Sequence, residues 1–92
     1  MLTFARTIAF TPGNARLLAV RPAHRAYVAE LHARGEIRMS GPFADDDGAL
    51  LVYEAADRAA AEALIAADPY RTEAVVDEVS LREWTVIVSE RP

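Results

Sequence analysis

Ninety-two residues leave room for one domain, and a composition of 52% hydrophobic and 26% charged residues excludes a disordered chain. A net charge of −4, with all ten basic residues arginines scattered along the chain, argues against a nucleic-acid partner. The absence of cysteine removes disulfides, thiolate chemistry and Cys-bound metals, and no apolar run approaches the roughly 20 residues of a membrane span. The N-terminus lacks the basic-then-apolar plan of a signal peptide, so the expected location is cytoplasmic. A domain of this length buries only about 60–65% of the surface its unfolded chain exposes. Dimerisation is therefore expected as a way to cover more apolar area.

The first element is a strand over Leu2 to Phe10. Leu2, Phe4, Ile8 and Phe10 face one way and Thr3, Ala5, Thr7 and Ala9 the other, with Arg6 interrupting the apolar side. Thr11-Pro12-Gly13-Asn14 breaks it. Pro22 suits the first turn of a helix, and His24, Tyr27, Val28 and Leu31 then share one helical face. Gly35 closes that helix as a left-handed cap. A short strand through Ile37 and Met39 stops at Gly41-Pro42, and a polar loop over Phe43 to Gly48 ends in the hairpin signal Asp47-Gly48. Ala49 to Tyr53 reads as a buried third strand. Asp57 caps a second helix, whose face carries Ala61, Leu64, Ile65 and Asp68, and which Pro69 ends at Ala67 or Asp68. Val79 to Val88, with Trp84 its largest side chain, is the last strand.

The order β-α-β-β-α-β is the split βαβ arrangement, so the expected fold is α+β: a ferredoxin-like single domain over residues 1–92 with an antiparallel sheet. Following the strand directions, the start of helix one, the loop after strand two and the end of helix two share one end of the domain. His24, Ser40-Gly41-Pro42 and Asp68 are thereby collected. Apolar residues on both faces of strands one, three and four leave one sheet face for a second copy, giving a dimeric α/β barrel.

Two of the collected residues sit where their chemistry is out of place. His24 lies on an apolar stripe, where a satisfied core histidine is the bland alternative. Asp68 continues an apolar stripe at a helix C-terminus, where its charge opposes the helix dipole and its burial demands a partner. The alternative role for Asp68 is capping of backbone amides around Pro69 and Tyr70. As a pair they suit proton transfer, with Asp68 fixing the imidazole tautomer and leaving the other ring nitrogen for a substrate. Arg6, Arg21 and Arg25 are candidates to bind a carboxylate, with a surface ion pair the favoured reading of Arg25. No metal is expected: His24 and His32 are eight residues apart, nearly a quarter turn out of line, and Asp45-Asp46-Asp47 lacks the further spaced ligands of a calcium loop. Ser40 lacks a nucleophile elbow. Tyr70 and Trp84 read as core or dimer-contact residues.

Arg21-Pro22-Ala23-His24, Gly35, Ser40-Gly41-Pro42, Asp47-Gly48 and Ala67-Asp68-Pro69-Tyr70 follow one another with consistent spacing. On these residues the chain resembles the YCII-related family across essentially its whole length. The resemblance implies a dimeric α/β barrel similar to muconolactone isomerase and other small barrel enzymes. It also implies an active-site pair carried by His24 and Asp68. Most members have no established reaction, and a few look like dehydrohalogenases or lyases of aromatic degradation. Two departures stand out: the Gly41–Gly48 loop is short, and Ala74 stands where relatives often carry glycine.

The leading functional expectation is a cofactor-independent enzyme of lyase or isomerase type acting on a small, anionic molecule. His24 and Asp68 would be its catalytic pair, and Arg6, Arg21, Ser40, Gly41 and Pro42 its ligand contacts. The alternatives are a non-catalytic small-ligand-binding module in the same cleft and a dimerisation or accessory domain in which His24 and Asp68 fasten two elements.

Overall fold

The computed structural model describes residues 1–89. The elements are β1 (Leu2–Ala9), α1 (Ala15–Ala33), β2 (Ile37–Pro42), β3 (Gly48–Ala55), α2 (Arg58–Ala66), α3 (Pro69–Thr72) and β4 (Asp77–Glu83). The strands form one antiparallel sheet in the order β2-β3-β1-β4. This is the expected ferredoxin-like α+β fold, with the short helix α3 added between α2 and β4.

The alternation read in β1 is a true division between faces. Phe4, Arg6 and Ile8 are buried while Thr3, Ala5, Thr7 and Ala9 are half-buried. The buried face joins Leu51 and Tyr53 of β3 to Leu17 and Leu31 of α1 and Ala61 and Ile65 of α2. Each large apolar side chain sealed here contributes about 1.5–3 kcal/mol relative to exposure. Gly48 makes the tight β3–β1 approach possible, because a Cβ at that position would stand 2.3 Å from the carbonyl oxygen of Ile8.

Helix α1 begins seven residues earlier than Pro22 suggests. Asn14 caps it, Oδ1 accepting from Leu17 N at 3.1 Å, and the run from Ala15 to Arg21 consists of residues that a helix accepts. Pro22 sits inside the helix and simply deprives the Leu18 carbonyl of its usual donor. The early start matters for the site. Leu17, His24 and Leu31 are the buried residues of α1, and a spacing of seven keeps them on nearly one line along the helix. His24 therefore occupies a mid-helix core position. Gly35, at φ +77°, closes α1 as expected.

The last strand is shifted and shorter than its sequence pattern suggests. Glu83 pairs with Phe4 and Trp84 N donates to Thr3 O. The pairing stops there, and Ile87 and Val88 stand exposed instead of continuing the strand. Trp84 is 46% exposed and is not a core residue of this subunit.

Candidate functional site

The site is built around Asp68, and Pro69 sets its backbone. A residue before proline is pushed into extended conformation, and Asp68 accordingly has φ −67° and ψ 127° between the end of α2 and the first turn of α3. Its side chain turns back onto α3, where Oδ1 accepts from Tyr70 N at 2.9 Å. The capping role and the pairing role are therefore both filled by one carboxylate. The expectation that Asp68 opposes a helix dipole is corrected: it stands at the N-terminus of α3, where negative charge is favourable.

The same Oδ1 lies 2.7 Å from His24 Nδ1, and Oδ2 accepts from Arg6 Nη1 at 2.7 Å. Asp68 and Arg6 are fully buried, and His24 is 9% exposed. Burial presses against ionisation of Asp68, but the hydrogen bonds from His24, Arg6 and Tyr70 N outweigh it, holding the carboxyl below the ordinary aspartate value. An ionised carboxylate only accepts, so His24 carries its hydrogen on Nδ1. Nε2 has no protein partner among the described residues and is not occluded. It is the nitrogen left to act as a base.

Arg6 occupies the centre of a second set of contacts. Its Nε and Nη2 form a fork with Glu78 at 2.9 and 2.6 Å, and Nη1 also donates to the Tyr53 hydroxyl at 2.9 Å. Burial works against the guanidinium charge, yet the Glu78 hydrogen bond, Tyr53 and Asp68 more than compensate, so its pKa is raised. Burial likewise pushes the Tyr53 phenol up to about 12, against the lowering influence of Arg6. The expectation that Arg6 contacts a ligand is corrected here. Its guanidinium is sealed in the core, its donors are committed to internal acceptors, and it is not among the residues lining the cavity.

That cavity, about 490 Å³, runs between α1 and β2. His24 and Arg21 line one side, and Ser40, Gly41 and Pro42 the other. Of the expected cluster, His24 shares the cavity with Ser40-Gly41-Pro42, while Asp68 does not line it and meets only the His24 ring from within the core. Tyr70, read as a core residue, is buried but also stacks on the His24 ring, centroids 3.7 Å apart and planes 6° from parallel. Arg21 Nε donates to the Tyr70 hydroxyl at 2.9 Å, and its guanidinium lies 5.4 Å from the Phe10 ring centroid. Arg25 also lines the cavity and forms no ion pair among the described residues, contrary to the surface pairing expected of it. Asp45-Asp46-Asp47 is an exposed turn. Among the described residues no three His, Asp or Glu side chains converge as a metal ion requires.

Sequence reasoning missed Glu78 and Tyr53. Glu78 precedes the strand as read from its apolar pattern, and Tyr53 looks like ordinary core. The available signal was Arg6 itself, since a guanidinium on an apolar strand face needs more acceptors than one aspartate supplies.

Among solved structures, the chain is similar to 5-chloro-2-hydroxyhydroquinone dehydrochlorinase from Burkholderia phenoliruptrix AC1100, determined in complex with 2,5-dihydroxybenzoquinone. The TM-score is 0.72 at 23% identity, covering 92% of this chain and 94% of that one. At that identity the likeness establishes the fold. No curated protein matches the sequence. The YCII-related domain matches over residues 2–85, nearly the whole chain, and the protein belongs to the YCII-related domain family.

Proposed function

We propose that the α1–β2 cavity is the active site of a cytoplasmic, cofactor-independent enzyme that moves a proton on a small anionic molecule, in a reaction of lyase or isomerase type. The observation that carries this reading is the buried His24 Nδ1–Asp68 Oδ1 contact of 2.7 Å on a ring whose Nε2 is left open beside a cavity. Asp68 fixes the tautomer and stabilises the imidazolium formed when Nε2 takes a proton. Tyr70 holds the plane of the ring. Arg21 meets the negative charge of the substrate, and Ser40 with the Gly41-Pro42 backbone closes the opposite wall. The dehydrochlorinase of similar fold, solved with a small quinone, supports this class of chemistry by analogy.

The working form in this proposal is a homodimer. The helices cover one sheet face, while Ala5, Thr7 and Leu50 on the other remain only half-buried. Light scattering at micromolar concentration should give twice the subunit mass, and a monomer would count against the assembly.

The test of the chemistry is turnover of small enolisable or halogenated acids and phenols by wild type, His24→Ala and Asp68→Asn. Loss of about 10²–10⁴-fold in kcat for His24→Ala is the range expected of a general base. Full activity in both variants on an identified substrate would remove the pair from the mechanism. Ligand affinity without turnover would make the cavity a binding module.

A further inference from the structure

The chain carries more acid than base, 14 against 10, and five of its nine described arginines stand beside a carboxylate. Arg6, Arg16, Arg34, Arg38 and Arg58 each stand within salt-bridge distance of a carboxylate. Arg71 and Arg82 have no such partner among the described residues, and neither do Arg21 and Arg25. The last two lie on α1, four residues apart and flanking His24, and both line the cavity. Like charges at that spacing disfavour the helix. Long helical side chains also lean toward the helix N-terminus, which inclines Arg25 toward Arg21. The one carboxylate in the cavity lining, Asp46 on the β2–β3 turn, pairs with neither. Arg21 is moreover held in place: its Nε is committed to Tyr70 and its plane rests by Phe10, while its two terminal nitrogens have no acceptor among the described residues.

From this we infer that Arg21 and Arg25 form a two-arginine clamp for a substrate carboxylate, with Arg25 its specificity-determining residue. The inference rests on the ligand-binding cavity proposed above and narrows its substrate class. The ligand is a carboxylic acid whose apolar body lies among Val28, Ile37, Met39 and Leu51, presenting an acidic C–H to His24 Nε2. A planar carboxylate can take two parallel N–H bonds from a guanidinium, which a phenolate or a halide cannot. The clamp is costly to the free protein and is relieved when the anion binds.

The probes are benzoate and its neutral isostere benzamide, titrated into the whole protein while following the His24 ring signals by NMR and the heat by calorimetry. Wild type should bind benzoate at least tenfold more tightly than benzamide. Arg25→Met should lower that preference severalfold, chiefly by weakening benzoate, and Arg25→Lys should restore only part of it. The ligand-free Arg25→Met protein should be as stable as wild type or more so, which separates a lost clamp from a damaged fold. Equal affinity for the two probes in wild type, with His24 perturbed by both, would overturn the clamp and leave the cavity reading standing. An unchanged preference in Arg25→Met would do the same. If neither probe perturbs His24, the clamp and the ligand-binding cavity fall together.

Discussion

Arg6 and Asp68 are 62 positions apart in the chain and meet at 2.7 Å with both side chains fully removed from water. A buried ion pair is poor evidence of net stability, because desolvation consumes much of the attraction. What it does here is geometric. Arg6 fills Oδ2, so Oδ1 is left to serve His24 and Tyr70 N. The fork from Glu78 fixes Arg6 from its other side.

This arrangement makes the single substitutions expensive and the double one less so. Arg6→Met alone leaves Asp68 buried without its countercharge, and should cost about 3–5 kcal/mol. Adding Asp68→Asn removes the orphaned charge, so the two costs should fall short of additivity by roughly 1–3 kcal/mol. Urea unfolding of wild type, both single variants and the double variant measures this directly. Strict additivity would mean that the contact is energetically idle.

The acid limb of stability follows from the same carboxylate. The pKa of Asp68 is depressed on folding by His24, Arg6 and Tyr70 N acting against burial. A depressed carboxylate contributes stability that is fully present above its unfolded value, about 3.9, and is lost as pH falls through the folded one. Wild type should therefore lose stability steeply below about pH 4. Asp68→Asn should be less stable at neutral pH and show a shallower acid slope. Parallel slopes for the two proteins would assign acid unfolding to other carboxylates.

How much of this was legible beforehand can be read from particular residues. The element order, the Asp57 cap, Gly35 and the termination before Pro69 are local signals, and local backbone chemistry honours them. Topology predicts a meeting with Asp68 for a His24 at the start of α1; the contact is made although His24 lies in the middle of that helix. Pro22 misled because proline favours the first turn of a helix without being confined to it, and an Asn14 cap followed by seven helix-compatible residues outweighs one missing hydrogen bond. The end of β4 could not be read from its own apolar residues, because it is set by where the pairing with β1 stops. Arg6 was singled out correctly as anomalous and assigned the wrong partner, because sequence reveals an unsatisfied charge without showing which acceptors the fold brings to it.

Tyr53 predicts the opposite behaviour at alkaline pH. Burial, opposed by the Arg6 charge and hydrogen bond, raises its phenol to about 12, against about 10 for a free tyrosine. The folded protein holds that proton more tightly than the unfolded chain. The associated stability is complete below about pH 10 and disappears as pH rises through the folded value. Tyr53→Phe should cost about 1 kcal/mol at neutral pH for the lost Arg6 contact and should flatten the stability profile between those two limits. Phenolate absorbance should show one tyrosine fewer titrating late. If wild type and Tyr53→Phe decline in parallel there, the phenol is not the group responsible.

Ala74 and Asp46 are the non-glycine residues at positive φ among the described residues, and Ala74 closes the turn after α3. It follows the α3 cap at φ +54°, in the left-handed region, donating to Arg71 O, while the next residue, Val75, donates to Tyr70 O at 3.1 Å. This turn holds the residue on which His24 stacks. A left-handed non-glycine residue costs about 1–2 kcal/mol, whereas glycine gives back about 0.4–1 kcal/mol through the freer unfolded chain. Ala74→Gly should therefore be stabilising by roughly 0.5–1 kcal/mol, raising Tm by about 2–8 °C in a domain of this size. Ala74→Val, with a branched side chain where φ is positive, should lower Tm instead and weaken ligand binding through Tyr70. Calorimetric scans of the three proteins decide the point: an Ala74→Gly midpoint below wild type would mean that the turn is relaxed as it stands and that Tyr70 is positioned by its contacts with Arg21 and His24 alone.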